Sequence, residues 1–154
     1  MKKIPVKKIY PTRFNGYYVG KDGSIWTHWN KLGYVGEIRK IPQYFRGGTN
    51  PNDKYLSVNI SLKNDQGKTF KQIKYYVHRL IAETLIIKSN NHTEINHIDR
   101  NKTNNNISNL EWTTRQNNMN HLSDTFHSPI IKTQTINDEY KPVIDYDTIP
   151  ENWK

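Results

Sequence analysis

The segment YLSVNISLKNDQGKTFKQIKYYVHRLIAETLI, residues 55–86, changes its hydrophobic period once, and this change restricts the fold more than any other feature. In 55–63, Leu56, Val58, Ile60 and Leu62 alternate with Tyr55, Ser57, Asn59 and Ser61, the pattern of a half-buried strand. Residues 64–68, NDQGK, turn the chain. Residues 69–77 return, with Ile73, Tyr75 and Val77 on one face and Gln72, Lys74 and Tyr76 on the other. From His78 to Ile86 the spacing becomes helical: Leu80, Thr84 and Ile87 align, as do Ile81 and Leu85. A ribbon with one apolar and one polar, partly basic face leads straight into a helix that can cover the apolar side. The class this predicts is α+β.

Shorter signals flank that unit. In FNGYYVGKDGSIWTHW, 14–29, an Asp-Gly pair between aromatic and β-branched runs predicts a hairpin. RGGTNPND, 46–53, is a loop by its Gly, Asn and Pro content. Beyond the helix, EINHI predicts a short strand, DRNKTNNNIS a loop and NLEW a second strand. TTRQNNMNHL, 113–122, predicts a helix capped by Thr113 or Thr114. In the tail, IIKTQTI reads as a strand and the last residues as extended or disordered chain. The order divides the chain into an aromatic β module (1–54), a ribbon with a strand-loop-strand-helix core (55–122) and an extension (123–154).

Charge separates the extension from the rest. Residues 1–120 hold 20 Lys and Arg against 8 Asp and Glu, whereas 121–154 hold 3 against 6. The larger part is therefore a candidate polyanion binder and the tail is not. No amphipathic stretch pairs a Lys/Arg face with a Trp/Phe face, so a membrane surface is the weaker choice of partner. The chain has no cysteine, which excludes disulfides and cysteine-ligated zinc. No apolar run is long enough to span a bilayer, and MKKIPVKKIY lacks the apolar core of a signal peptide. The expectation is a cytoplasmic protein with no membrane partner.

Chemistry gathers at INHIDRNKTNNNISNLEW, residues 95–112, where asparagines surround His97. In a strand-loop-strand-helix unit the helix folds back over the hairpin. Asn96 and His97 can then approach Asn118, 21 positions beyond His97, and Asn109 can bridge the loop. A neutral imidazole, with an ordinary pKa of about 6.5, takes a proton at neutral pH. Amide oxygens are hard ligands suited to magnesium or manganese rather than zinc. A base beside a hard divalent cation is a minimal phosphodiesterase site. Asn104, Asn105 and Asn106 read as turn formers tolerant of left-handed backbone. Asp99 orients the imidazole, supports a metal from behind its ligands or pins the loop, and His78 reads as a packing or capping residue where strand meets helix.

These segments, VHRLIAETLI (77–86), INHIDRNKTNNNISNLEW (95–112) and TTRQNNMNH (113–121), resemble the HNH endonucleases of ββα-metal fold, especially the phage and intron homing type. The aromatic stretch 14–29 is similar to a module often found ahead of that nuclease core. The resemblance implies that His97 is the general base, Asn96 a metal ligand, Asn109 the structural middle residue and Asn118 the last motif position. Asn96 stands where aspartate is common, so the motif reads His-Asn-Asn, and two neutral ligands hold a cation more weakly than a carboxylate would. Arg100 stands where glycine is common, and either contacts phosphate or accommodates the turn. The resemblance further implies one Mg²⁺ or Mn²⁺ per site, double-stranded DNA as substrate, and products with a 5′-phosphate and a 3′-hydroxyl. Nicking and double-strand cleavage both stay open, as do monomer and homodimer. If the chain is phage-encoded, the compartment is the host cytoplasm.

The ribbon supplies a candidate DNA surface: Asn59, Lys63, Lys71, Gln72 and Lys74, with Ser57, Ser61 and Lys68 nearby. A two-stranded ribbon fits the major groove, and amides there read adenine edges. Trp26, Trp29 and the N-terminal tyrosines read as core. The alternative function is a DNA-binding protein on the same scaffold, catalytically weak or inactive. The acidic extension either packs on the core, mediates dimerisation or mimics DNA.

Overall fold

In the computed structural model, which describes residues 8–50 and 53–123, nine strands and two helices form three antiparallel sheets. The first sheet is a meander of β1 (Ile9–Pro11), β2 (Tyr17–Gly20), β3 (Ile25–Trp29) and β4 (Val35–Lys40). The second runs in the order β5 (Tyr44–Arg46), β6 (Tyr55–Lys63), β7 (Thr69–Tyr76). Helix α1 (Val77–Leu85) follows β7 directly. Then β8 (Glu94–His97) pairs with β9 (Leu110–Thr113), and α2 (Arg115–Ser123) closes the described chain. The mixed α+β class, the period switch at residue 77 and the strand-loop-strand-helix order are as the sequence predicts.

One hydrophobic core serves all three sheets. Val19 and Ile25 from the first, Val58 and Ile60 from the ribbon, and Leu110 and Trp112 from β9 all meet Val77, Leu80, Ile81 and Leu85 of α1. Tyr76 precedes α1 with no side-chain cap, so packing holds this helix rather than its end. Each fully buried large aliphatic contributes about 1.5–3 kcal/mol, well above a typical cap. Polar ties join the parts as well: the Ser61 amide donates to Tyr17 Oη at 2.8 Å, and Arg13 to Tyr75 Oη at 2.9 Å. The residues of the first sheet are thus packed on the same core as the ribbon.

Three details depart from the sequence reading. Strands β4 and β5 carry no usable hydrophobic period: β5 is exposed throughout, and the partly covered face of β4 offers only Gly36 and Ile38. Helix α1 ends at Leu85, and Ile87 lies beyond it at 55% exposure rather than in line with Leu80. Asn104 to Asn106 are not left-handed; among the described residues other than glycine, only Arg100 has positive φ, at 63°. The proposed tail strand lies outside the described residues. Thr114 does cap α2, accepting from the Asn117 amide at 3.2 Å.

The Arg100 backbone suggests a direct measurement. Left-handed geometry costs a side-chain-bearing residue about 1–2 kcal/mol, partly offset by the greater unfolded-state freedom of glycine. Arg100→Gly is expected to be more stable by up to about 1 kcal/mol in denaturant unfolding. A destabilised variant would show that the arginine's own contacts outweigh the strain.

Candidate active site

The pairing of β8 with β9 sorts the site residues by face. Glu94 pairs with Thr113, Ile95 with Trp112, Asn96 with Glu111 and His97 with Leu110. Directly opposed residues share a face and successive residues alternate. Ile95, His97, Leu110 and Trp112 therefore lie toward the core, and Glu94, Asn96, Glu111 and Thr113 toward the other side. Helix α2 docks on that second side, where Asn118 Nδ2 donates to Glu94 Oε2 at 2.7 Å. Asn96 Nδ2 donates to Glu111 Oε1 at 2.8 Å. Each of the two amides named as metal ligands is thus tethered through its nitrogen to a carboxylate. Sequence reasoning named neither glutamate. Alternation could have paired Glu94 with Asn96 on one face, but only the register places Glu111 opposite Asn96.

His97 ends β8 and is nearly enclosed, at 5% exposure. Its Nε2 lies 2.9 Å from Asn105 Oδ1. The His78 ring meets it edge-on with centroids 5.2 Å apart, and Tyr55 lies at 6.0 Å. Burial holds the His97 pKa below its usual value, against the Asn105 hydrogen bond and the Asp99 charge, which raise it. Burial pushes His78 further, down to about 3, with the charges of His97 and Arg79 adding to the effect. His78 is therefore neutral at physiological pH and packs between Tyr55, Tyr76 and His97. Two cations stand on this aromatic group: Arg46 over Tyr76 at 5.0 Å and Lys102 over Tyr55 at 5.2 Å. Neither was singled out from sequence, because only the fold brings residues 46, 55, 76 and 102 together.

The asparagine-rich loop is held by amides acting at specific atoms. Asn109 Nδ2 donates to Asp99 Oδ1 and to the Asn104 carbonyl, each at 2.8 Å, while its Oδ1 accepts from the Asp99 amide at 2.9 Å. Asp99 also accepts from the Asn101 amide at 2.7 Å and from Asn104 Nδ2 at 2.7 Å. These bonds make Asp99 a loop pin, and hold its carboxyl below its usual pKa although burial opposes this. Asn106 Oδ1 accepts from the Ser108 amide and opens the 3₁₀ turn that ends at Asn109.

The ribbon places its polar residues in register: Asn59 opposite Lys74, Ser61 opposite Gln72 and Lys63 opposite Thr69. Lys71 is opposite Leu62, so it lies on the apolar side, exposed at the ribbon end, and not with Gln72 and Lys74. Period two requires this, since Lys71 has the parity of Ile73. Asn59, Lys63 and Gln72 line a groove of about 310 Å³ whose opposite wall includes Lys31 and Arg39. Lys63 Nζ is engaged there, 3.1 Å from Thr69 Oγ1 and above the Trp29 ring. Tyr17 and Tyr18 are buried, and Trp29 packs against the core.

Among the described residues, no group of three or more His, Cys, Asp or Glu side chains could hold a metal ion. A cation here would draw on amide oxygens as well. Asn96 and Asn118 fit that need chemically: with each nitrogen bound to a carboxylate, each Oδ1 is the oxygen to offer a hard cation. The carboxylates polarise both amides and bring negative charge close behind them.

Residues 75–120 match the HNH endonuclease family. Two proteins of Acanthamoeba polyphaga mimivirus, each described as an uncharacterized HNH endonuclease, are similar to this chain. One is 35% identical over 138 residues, covering 89% of this chain and 36% of its own length. The other is 43% identical over 100 residues, covering 64% of this chain and 21% of its own. The chain thus spans about a third of the first relative and a fifth of the second. A solved structure of DNA binding and cleavage by the HNH homing endonuclease I-HmuI overlaps 71% of this chain and 53% of its own, with 26% identity and a TM-score of 0.49. No helix among the described residues is long and apolar enough to cross a membrane.

Proposed function

The chain belongs to the HNH endonuclease family through residues 75–120, and on that footing we propose that it is a divalent-metal-dependent endonuclease of the homing type acting on double-stranded DNA. His97 takes a proton from the attacking water. The hydroxide adds to phosphorus, the bond from phosphorus to the 3′ oxygen breaks, and the leaving oxygen takes a proton from solvent. Asn96 and Asn118 would hold one Mg²⁺ or Mn²⁺ through their amide oxygens, and Asn109 keeps the loop that carries Asp99 to Asn104 closed beside the base. Such an ion would supply positive charge to the phosphate and leaving oxygen. The mimivirus relatives are in keeping with work inside a host cell. The observation that carries the reading is the pair of amide–carboxylate bonds, Asn96 to Glu111 and Asn118 to Glu94, at the junction of β8 with α2 next to a buried histidine.

Supercoiled plasmid incubated with the protein and Mg²⁺ or Mn²⁺ is expected to be nicked or linearised, and EDTA to abolish the change. DNA binding that persists with no cleavage in either metal would instead identify the non-catalytic scaffold protein.

The DNA surface is tested separately. Lys74 and Gln72 share the polar ribbon face with Asn59, whereas Lys71 does not. Lys74→Ala is expected to weaken binding similarly on all sequences and to lower the slope of log K against log salt by about 0.9, the value for one phosphate contact. Lys71→Ala is expected to leave that slope as it was. A slope that responds to Lys71 and not to Lys74 would put DNA on the other side of the ribbon. Arg100 is the remaining candidate phosphate contact, and salt titration of Arg100→Gly reads it the same way.

A further inference from the structure

Asn105 was read from sequence as part of a turn, yet it is buried to 4% exposure with its side chain directed at His97 rather than at its own backbone. An amide oxygen only accepts hydrogen bonds. With Oδ1 turned to Nε2 at 2.9 Å, the contact is a hydrogen bond when the His97 proton sits on Nε2, and the Nδ1 lone pair is then the basic site. A histidine with its partner on the wrong nitrogen presents N–H where a base is needed, and is inert in that role.

The backbone of Asn105 is clamped by the N-terminal sheet. The turn joining β2 to β3 presses Gly23 against it so closely that a Cβ on Gly23 would lie 3.0 Å from the Asn105 carbonyl oxygen and 3.2 Å from Asn105 Cβ. Gly23 also has φ of +87°, which favours glycine. On either side, the Ile107 amide donates to the Lys21 carbonyl at 2.9 Å, and Gln43 Nε2 donates to the Gly23 carbonyl at 2.8 Å. Among the described residues, Asn105 Nδ2 meanwhile is buried with no hydrogen-bond partner. A purely structural asparagine rarely leaves an amide nitrogen unpaired in the interior. The arrangement fits a residue kept for its oxygen.

We propose that Asn105 is a positioning residue that fixes the Nε2–H tautomer and ring orientation of His97, and that the β2–β3 turn holds it in place, so that the N-terminal sheet forms part of the catalytic apparatus. The inference rests on His97 being the base. The test uses the full chain with ¹⁵N-labelled histidine. The His97 ring proton, assigned by its loss in His97→Ala, is expected on Nε2, downfield and slow to exchange with solvent. In Asn105→Leu this signal is lost, and kcat for plasmid cleavage falls by roughly 10–100-fold, less than the roughly 10²–10⁴-fold that general-base catalysis itself supplies. Affinity for DNA stays unchanged. Asn105→Asp, which keeps an acceptor oxygen, retains the ring proton and restores most of the rate. A wild-type ring proton on Nδ1 would overturn the proposal, because the amide would then present Nδ2 to the ring. So would an Asn105→Leu variant with both proton and kcat intact. Should Asn105→Leu fail to fold, the wild-type proton and the Asp variant still decide. If His97→Ala cut as well as wild type while the ring proton behaved as stated, the base assignment would fall and the Asn105 contact would stand.

Discussion

Replacing His97 by alanine is expected to reduce metal-dependent cleavage by about 10²–10⁴-fold, with DNA affinity and secondary structure unchanged. The size follows from removing the one group placed to accept the proton of the attacking water. The binding surfaces on the ribbon, by contrast, involve other residues. The pH profile supplies an independent reading. Burial lowers the His97 pKa from its ordinary 6.5. The neutral ring is the active form, so kcat should rise with pH through a midpoint below 6.5, then level off across the neutral range. The neighbouring His78, depressed to about 3, stays neutral throughout and adds no second limb in that window. The alanine variant should lose the rising limb together with the rate. Cleavage that is undiminished in His97→Ala, or that declines as pH rises through 6, would remove His97 from the mechanism.

Truncating Glu111 to alanine is expected to weaken Mn²⁺ binding by about 10–100-fold, the range for partners that orient a metal ligand. A pair of neutral amides is a weak ligand set for a hard cation, and the sequence alone suggested nothing better. The fold changes that balance. Glu111 accepts from Asn96 Nδ2 at 2.8 Å and Glu94 from Asn118 Nδ2 at 2.7 Å, so each amide is backed by a carboxylate. The tether fixes which amide atom is left for the ion, and the charge favours a cation there. Glu111→Gln keeps an oxygen for Asn96 but loses the charge, so it should fall between wild type and Glu111→Ala. Titration of the Mn²⁺ paramagnetic resonance signal measures all three without relying on turnover. Equal affinity in Glu111→Ala and wild type would dismiss the role assigned to the carboxylate.

Much of this architecture could be read directly from the chain. The alternation in 55–63 and 69–77 becomes β6 and β7, and the switch to helical spacing becomes α1, whose apolar positions fill the core. The Asp-Gly turn between β2 and β3 and the Thr114 cap of α2 are equally local. These features depend on neighbours a few residues apart, where periodicity and turn chemistry operate. Strands β4 and β5 are not legible in the sequence, because β5 is exposed throughout and the partly covered face of β4 is Gly36 and Ile38 alone, too short a period to detect. Charge marks Lys71 as a candidate beside Gln72 and Lys74, while its pairing with Leu62 puts it on the opposite face of the ribbon.

Asn96, His97, Asn109 and Asn118 could be singled out by type and spacing, but their partners could not. Asn105 is eight positions from His97, Glu111 fifteen from Asn96, and Glu94 twenty-four from Asn118. No local rule connects residues across such gaps. Loop closure by Asp99 and Asn109 brings Asn105 to the imidazole, strand register sets Glu111 opposite Asn96, and docking of α2 carries Asn118 to Glu94. The sequence by itself determined the ribbon, the hairpins, both helices and the candidate base, because hydrophobic period and residue chemistry are properties of short stretches. Tertiary structure alone decided which nitrogen of His97 faces an acceptor and which carboxylates stand behind the amides, because those depend on how separate stretches pack.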